Sequence, residues 1–411
     1  MAKHKNLGSC ISNSINIDLL VLTMFINRYC EGSVQRNIID KNKIMKRYWN
    51  IYEKIYSMDN LRLAHHNARK DKALYKEVQM VNKNEDYFLK KIQKILKERK
   101  YHISPKDYSV SIIRDKTKSR ELWKLKYYPH RIIQRAIMLQ LEEIFTKSFT
   151  NFTCASVKNR WMSQVMKLMS KYLRDKEWTK YCLKLDITKY YPSVNHRILK
   201  KILRRKFKDK DLLKLLDMLI DSFPWKRWLP IGSYLSQFLA NFYLSYFDHW
   251  MKEKLHIKYV VRYMDDIVIL CWSKKKLWYY YRRIKWYLEW SLNLSIKWNY
   301  QIFPTDKRWI DFVWYRYFHG YTLLRKRVLL KMKDKIKKLW IKINKWIMMN
   351  FRDWCSINSY TWWIIHCNHH RLYNKYIYNL TGHLSKYYYC IICNNKRRTI
   401  RYYKNLISKQ Y

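Results

Sequence analysis

The chain has 411 residues, with 85 lysines and arginines against 31 acidic residues, and a formal net charge of +54. Because 48% of the residues are hydrophobic, the chain can bury a core, which excludes wholesale disorder. A charge this large costs self-repulsion unless a polyanion neutralises it. Nucleic acid is therefore the leading partner, and an anionic membrane surface is the alternative.

The apolar run "IDLLVLTMFI" (17–26) has about half the length that a membrane-spanning helix needs. The nine cysteines are scattered and odd in number, which fits reduced thiols in a cytoplasm. The sequence therefore predicts a cytoplasmic protein without a membrane span.

In chain order, residues 1–44 are polar and without pattern, and we interpret them as an N-terminal extension, with Met45 as an alternative start. Residues 60–180 are basic and predict mostly helix. Four short apolar runs then predict strands: "YCLKLDI" (181–187), "KYVVRYM" (258–264), "IVILCW" (267–272) and "IDFVWYRYF" (310–318). Helical patterns lie between them, at 196–207 and 236–255, and a basic amphipathic helix follows at 323–347. This order predicts an α+β domain with helical flanks.

Three carboxylates are placed at the ends of these predicted strands. Asp265 and Asp266 lie between two apolar runs, and Asp186 ends another. Adjacent carboxylates flanked by buried strands are costly unless a cation neutralises them. Any single Asp-Asp pair can be an ordinary surface turn, but carboxylates at two neighbouring strand ends can hold two Mg²⁺ ions about 4 Å apart. The joint pattern favours the metal site.

Several motifs together resemble those of reverse transcriptases. "RYMDD" (262–266) resembles the Tyr-x-Asp-Asp hairpin of that superfamily, and "LDITKYYPSV" (185–194) resembles its first metal-binding strand. "PIGSYLSQ" (230–237) resembles the loop beneath the incoming nucleotide, and "FHGYTLL" (318–324) resembles the primer grip. The resemblance implies a right-hand polymerase: an α+β fold with fingers (45–180), a palm whose antiparallel sheet carries the catalytic Asp residues (181–322), and a helical thumb with a basic tail (323–411).

The resemblance also implies roles for individual residues. Asp186, Asp265 and Asp266, with the backbone carbonyl of Ile187, would hold two Mg²⁺ ions, for which Mn²⁺ can substitute. The implied nucleotide-binding residues are Lys118, Arg120, Tyr191, Ile231, Gly232, Gln237 and Lys297, and the implied primer grip is Phe318, His319, Gly320 and Tyr321. In so basic a chain, Lys118, Arg120 and Lys297 can equally be solvated surface charges, and Tyr191 can be a core residue.

The loop at 230–237 indicates which group of reverse transcriptases the chain resembles. Most reverse transcriptases have Gln-Gly-x-x-x-Ser-Pro here, whereas this chain has Ile231 and Gly232, then Ser236 and Gln237. An aliphatic Ile231 lacks the amide's hydrogen bonds, so discrimination against wrong pairs should weaken. This form resembles the error-prone enzymes of diversity-generating retroelements, which implies a template RNA, a DNA primer, dNTPs and a small basic accessory protein. A defence-associated or other unclassified reverse transcriptase, and a non-catalytic RNA-binding protein, are the alternatives.

The glycine and tryptophan counts are unusual. The chain has 5 Gly and 19 Trp, where average usage would give about 29 Gly. Tryptophan stands where the resemblance places glycine in "RWLPIG" and "RWIDFVWY". We interpret this as UGA codons translated as Trp where the source reads Gly, with genuine Trp as the alternative. The hypothesis covers Trp49, Trp161, Trp178, Trp228, Trp309, Trp314 and Trp362.

Overall fold

The computed structural model describes residues 47–380, apart from residues 71, 116, 117, 223–225, 231, 346, 348–350, 369 and 379. The whole of the predicted extension (1–44) and the basic tail beyond 380 therefore lie outside the described residues. Within the described part of the chain, no helix combines the length and the apolar character that crossing a membrane would require.

The N-terminal region is helical except for one β-hairpin. The prediction of mostly helix is wrong at 108–125, where two strands pair antiparallel in continuous register. The reason is a concentration of β-branched and aromatic residues, such as Ile112, Ile113 and Trp123, which favour a pleated surface. The elements are α1 (Tyr52–Ile55), α2 (Met58–Ala68), α3 (Lys76–Lys83), α4 (Glu85–Lys97), β1 (Tyr108–Asp115), β2 (Lys118–Leu125), α5 (Ile132–Ser148) and α6 (Trp161–Tyr172).

A four-stranded antiparallel sheet forms the centre, with strand order β4-β5-β3-β6. Three of the predicted strands match β3, β4 and β5 to within a residue at each end. The strands are β3 (Tyr181–Asp186), β4 (Tyr259–Tyr263), β5 (Asp266–Cys271) and β6 (Gln301–Pro304).

The two faces of this sheet differ because alternate side chains point to opposite sides. Leu183, Leu185 and Ile187 join the main core beneath the surrounding helices. Cys182, Lys184 and Asp186 belong by alternation to the other face, where Cys182 packs into a second cluster with α6 and a smaller sheet. Lys184 and Asp186 are both only partly buried. The second face therefore leaves one end of the sheet accessible.

Helices cover the first face. The predicted helix at 236–255 is two helices, because the chain bends at Leu244. The helices are α7 (Tyr190–Ser193), α8 (His196–Lys206), α9 (Lys210–Asp221), α10 (Tyr234–Tyr243), α11 (Ser245–Glu253) and α12 (Lys274–Trp286).

A three-stranded antiparallel sheet and further helices follow. The prediction of one strand over 310–318 is wrong: Val313 adopts a φ of +53° and turns the chain into a hairpin. The elements are β7 (Ile310–Phe312), β8 (Tyr315–Tyr317), β9 (Thr322–Leu324), α13 (Lys326–Asn344), α14 (Phe351–Ile365) and α15 (His370–Tyr373). The buried Asp353 of α14 accepts hydrogen bonds from Lys335 and Lys342, at 2.9 and 2.7 Å, and so fixes α13 against α14.

Candidate active site

The three predicted carboxylates meet at one end of the central sheet. Strands β3 and β5 pair so that Asp186 lies directly opposite Asp266. Asp265 is in the turn before β5, and its carbonyl accepts a hydrogen bond from the backbone N–H of Ile187, at 3.2 Å. The register of β3 and β5, together with the turn that precedes β5, brings the three acidic residues together from positions about 80 residues apart in sequence.

The turn that carries Asp265 has a two-residue loop. Tyr263 pairs with Asp266, which leaves only Met264 and Asp265 at the tip. Met264 adopts a φ of +54°, as the first loop residue of a tight hairpin does. Methionine does not favour this left-handed conformation, so contacts with other residues must hold the turn in place.

Arg262 supplies those contacts. Its guanidinium donates to the carbonyl of Met264 at 3.0 Å and pairs with the Asp248 carboxylate, with 2.7 Å between Nε and Oδ1. It also donates to Asn241, at 3.2 Å, while Thr153 donates to Asp248 at 2.7 Å. Arg262 and Asp248 are both fully buried. A buried ion pair with its hydrogen bonds satisfied ties the hairpin tip to α10 and α11.

Lys297 contacts Asp186 twice, once through the backbone and once through the side chain. Its backbone N–H donates to the Asp186 carbonyl at 2.8 Å, and its ammonium lies 2.5 Å from Asp186 Oδ2. The other oxygen, Oδ1, is buried without a hydrogen-bond partner. A buried carboxylate oxygen without a partner is a ready ligand for a hard cation.

Burial and mutual repulsion raise the pKa values of the other two carboxyls. Desolvation, followed by the charge of Asp186, raises the pKa of Asp265 to about 6. Desolvation is also the main reason that the pKa of Asp266 is raised, and Lys184 partly offsets it. Among the described residues, no three acidic, His or Cys side chains have already converged into a metal cage. The residue types and the unpartnered oxygen fit a divalent metal, with Lys297 as the present counter-ion of Asp186.

Tyr191 packs against the hairpin tip. Its hydroxyl lies 3.9 Å from the Met264 sulfur, and burial raises its pKa. Its carbonyl accepts from the backbone N–H of Leu229, at 2.9 Å. Tyr191 therefore lies between the carboxylates and the loop that contains Gly232.

The loop leading to Gly232 is pinned to the segment around α7 and α8. The backbone N–H of Trp228 donates to the Val194 carbonyl at 3.1 Å, and the Trp228 carbonyl contacts His196 Nε2 at 2.8 Å. Gly232 has a φ of +108°, and a Cβ there would lie 2.4 Å from the Leu122 side chain. The glycine thus permits close contact between this loop and the β1–β2 hairpin.

A cavity of about 310 Å³ opens between β2, the start of α5 and the loop at 230–234. Aromatic side chains and amides line it together with five cations and no acidic residue. These cations, which the sequence did not single out, are Lys70, Lys72, Lys124, Arg131 and Arg135. Rings that can stack on a base, together with cations that can pair with phosphates, suit the binding of a nucleotide in a single-stranded nucleic acid.

The structure describes the remaining predicted nucleotide-binding residues only in part. Lys118 and Arg120 are in β2, but their side chains lie outside the described residues, as does all of Ile231. Gln237 is in the first turn of α10, partly buried, one residue after the buried Ser236. Within the part of the chain that the structure describes, Gln237 makes no hydrogen bond to the three carboxylates.

The predicted primer grip is the turn between β8 and β9. Gly320 has a φ of +91°, and the rings of Phe318 and Tyr321 stack with centroids 4.4 Å apart. His319 contacts Thr305 Oγ1 at 2.9 Å and the Leu173 carbonyl at 3.0 Å. The histidine therefore anchors the turn, and Tyr321 is its exposed member.

The seven tryptophans of the glycine hypothesis have different environments. Trp49 and Trp161 are exposed by 73% and 65%, so solvent accommodates their indoles. Among the seven, Trp228 alone adopts a backbone conformation that favours glycine, with a φ of +149°. Backbone strain that glycine would relieve is therefore found, among the seven, at Trp228, whose ring packs edge-on against Trp123 with centroids 5.2 Å apart.

We predict that Trp228→Gly is more stable than Trp228→Ala by about 1–3 kcal/mol. Both variants lose the indole, but only glycine relieves the strain of a positive φ. Denaturant unfolding of the two variants measures the difference. At an ordinary position glycine would be the less stable by about 0.5–1 kcal/mol, so that order would refute the strain. A UGG codon at 228 would separately refute the recoding.

An antiparallel sheet that carries three carboxylates at one end, backed by helices on one face, defines a polymerase of the right-hand fold. Residues 113–299, which contain all three carboxylates and Lys297, match the family model described as reverse transcriptase (RNA-dependent DNA polymerase). This matched segment, a little under half of the chain, is a reverse transcriptase domain.

Three relatives match parts of the chain at low identity. The chain is 25% identical over 142 residues to protein YkfC of Escherichia coli, covering 30% of this chain and 35% of that protein. It is 24% identical over 185 residues to nuclear intron maturase 4 of Arabidopsis thaliana, covering 43% and 22%. A putative COX1/OXI3 intron 2 protein of Saccharomyces cerevisiae is 24% identical over 136 residues, covering 30% and 15%. The chain thus spans about a third or less of each of these relatives.

Among solved structures, telomerase from Candida albicans, in complex with a TWJ fragment of telomeric RNA, has a TM-score of 0.41 at 12% identity. That match covers 62% of this chain and 55% of the telomerase chain. Apo telomerase from Candida tropicalis gives 0.40 at 11% identity, covering 58% and 52%. Both structural similarities are low.

Proposed function

We propose that the protein is an RNA-directed DNA polymerase that extends a DNA primer on an RNA template. The observation that carries the proposal is the register of β3 and β5, which sets Asp186 opposite Asp266 with Asp265 at the turn. Asp186, Asp265 and Asp266, with the carbonyl of Ile187, would hold divalent metal, with Mg²⁺ as the expected ion. When bound, such ions activate a 3′-hydroxyl and neutralise the leaving pyrophosphate.

The remaining residues position the reactants. Tyr191, against the hairpin tip, would exclude a ribose 2′-hydroxyl from the nucleotide site. The five cations of the cavity beside Gly232 would hold template phosphates. Lys118 and Arg120 would contact the triphosphate, since ammonium and guanidinium groups suit phosphate. We assign residues 45–180 to fingers, 181–322 to palm and 323–411 to thumb and tail.

Incorporation of dTTP on poly(rA)/oligo(dT) tests the activity. We expect primer extension that depends on Mg²⁺ or Mn²⁺ and stops in EDTA. The Trp228→Gly protein is assayed beside the wild type, so that poor folding is not mistaken for inactivity. No incorporation by either folded protein with any divalent metal would refute the polymerase and leave the non-catalytic RNA-binding protein.

Replacing Tyr191 should relax sugar selection. We predict that Tyr191→Ala lowers the preference for dNTPs over rNTPs by about 10- to 100-fold, because the space beside the 2′ carbon opens. Tyr191→Phe keeps the ring and loses only the hydroxyl, so it should retain the preference. Single-nucleotide kcat/KM values for dTTP and UTP measure both variants. Equal loss of selectivity in the two would mean that the ring is not the barrier.

The finer proposal is the error-prone polymerase of a diversity-generating retroelement, working with a small basic accessory protein. Ile231 in place of an amide supports it, because the nucleotide would lose a polar contact. Sequencing of cDNA made on a defined RNA tests it, with errors expected mainly opposite adenine. An even error spectrum would favour the defence-associated or unclassified alternative.

A second candidate rests on the relatives, two of which are named for introns. On that reading the protein binds a structured intron RNA and assists its splicing as well as copying it. The neighbouring DNA separates the two readings. A near-repeat pair that differs at adenines supports the retroelement, whereas flanking intron sequence supports the maturase.

A further inference from the structure

An aromatic cluster lies on the surface of α12, beside the edge strand β6. The rings of Tyr281 and Tyr300 stack with centroids 4.1 Å apart and planes 19° apart. Trp278 stands perpendicular to both, at 5.8 Å from Tyr281 and 6.1 Å from Tyr300. Trp278 is 40% exposed. Three rings from two chain segments thus form a platform in which Trp278 is exposed and Tyr281 and Tyr300 are partly buried.

Cations line the same side of the helix. Lys274, Arg282 and Lys285 are exposed and, with Trp278 and Tyr281, fall at spacings that place them on one stripe of a helix. From 272 to 300 the chain has seven Lys and Arg residues and one acid, Glu289. Glu289 lies 3.9 Å from Lys285. The surface therefore combines π-faces with positive charge that its own acidic residue does not neutralise.

The stripe is distinct from the core-facing side of α12. Leu277, Tyr280 and Ile284 are buried in the main core, whereas Tyr281 and Tyr300 pack against its border. Trp278 and the cations of the stripe are exposed. The platform is close to the active site along the chain. Tyr300 follows Lys297 by three residues, a reach of at most about 10 Å, and Lys297 contacts Asp186.

We propose that this surface, the α12 platform, binds an unpaired segment of RNA. Base stacking on aromatic rings with phosphates on flanking cations is how proteins hold single strands without reading their sequence. A membrane partner would not use stacked rings in this way, and a protein partner would have to match Lys274, Arg282 and Lys285 with acids. The inference rests on the proposed function in one respect, because the occupant would be the unpaired part of the RNA template.

Fluorescence anisotropy with a labelled, unstructured RNA of about 20 nucleotides, without metal or dNTPs, tests the platform. The variant replaces Lys274, Arg282 and Lys285 with Gln. We expect its RNA affinity to fall at least about 10-fold, and the slope of log Kd against log salt to fall by about 2, as for three lost phosphate contacts. The matched control replaces the exposed Lys90, Lys91 and Lys94 of α4 with Gln and should change affinity less than about twofold.

Photo-crosslinking locates the RNA directly. RNA carrying 5-bromouracil should crosslink to peptides within 272–300 in the wild type and lose this crosslink in Trp278→Ala. Equal weakening by the platform and control variants, or crosslinks only elsewhere, would overturn the proposal. Equal competition by single-stranded DNA would overturn the choice of RNA. Primer extension on a template whose unpaired overhang is too short to reach the platform should be unchanged in the platform variant, which separates this failure from failure of the polymerase.

Discussion

Asp265→Asn is expected to abolish nucleotide addition and, at the same time, to stabilise the metal-free protein. Loss of one ligand charge from the metal site should lower kcat by about 10³-fold or more. The stabilisation follows because burial and the neighbouring carboxylates disfavour the ionised form, raising the pKa of Asp265 from 3.8 to about 6. At pH 8 the folded state carries a cost of up to about 3 kcal/mol that asparagine removes.

The pH dependence has a definite sign. A carboxyl with a raised pKa binds more protons in the folded state than in the unfolded state. For Asp265 the window lies between about pH 4 and 6, because its pKa is 3.8 in the unfolded chain and about 6 in the folded protein. Its contribution to the free energy of unfolding therefore falls as pH rises through that window and is constant above it. Denaturant unfolding in EDTA should show a larger fall in the wild type than in Asp265→Asn, which keeps only the contribution of Asp266, whose pKa is also raised.

Asp175→Asn is the matched control. Asp175 is an acid in a polar cluster, where its carboxylate accepts from the Tyr259 hydroxyl at 2.6 Å. Its replacement should leave primer extension intact and should not stabilise the protein. The site assignment fails if Asp265→Asn keeps activity within about tenfold of the wild type. The repulsion argument fails if Asp265→Asn is less stable than the wild type at pH 8.

Asp248→Ala is the second change with a large expected effect. It leaves the guanidinium of Arg262 buried without its counter-charge, and breaking one side of a buried ion pair costs about 3–5 kcal/mol. The hairpin tip should also lose its position, because Arg262 donates to the Met264 carbonyl. We therefore expect a lower denaturation midpoint together with a lower kcat in the fraction that folds.

The double variant Asp248→Leu with Arg262→Met separates the two effects. Apolar side chains of similar size often replace a buried ion pair at little cost in stability, so this protein should be more stable than Asp248→Ala. It still lacks a donor for Met264, so its activity should remain low. Full activity in the stable double variant would show that the ion pair contributes only stability and does not position the hairpin.

Local patterns predicted the central strands well because their residues are buried on both faces and flanked by charged ones. Asp186 and the Asp265–Asp266 pair were found for the same reason: a carboxylate that ends an apolar run is conspicuous. The split of 310–318 into a hairpin was missed, because it depends on Val313 taking a left-handed conformation that β-branched residues rarely adopt. No local pattern signals such a turn.

The partner of Arg262 could not be predicted either. The charged residue inside the apolar run "KYVVRYM" indicates that a charge is buried there. Its partner Asp248 lies on a different element, however, and reaches Arg262 only through tertiary packing. The cations of the cavity are a similar case. They come from three segments, and in a chain with 85 lysines and arginines nothing local distinguishes them.

The contact between Lys297 and Asp186 has a consequence for assembly. The chain supplies its own positive charge to the first carboxylate, so this end of the sheet need not wait for an ion before it folds. Domains whose structural metal provides the folding energy unfold when a chelator removes it. Here we expect a different result: EDTA should stop synthesis and leave the melting temperature of the protein unchanged or only slightly lowered, because a bound ion stabilises the folded state only in proportion to its affinity. Adding the ion back should restore activity without a refolding step.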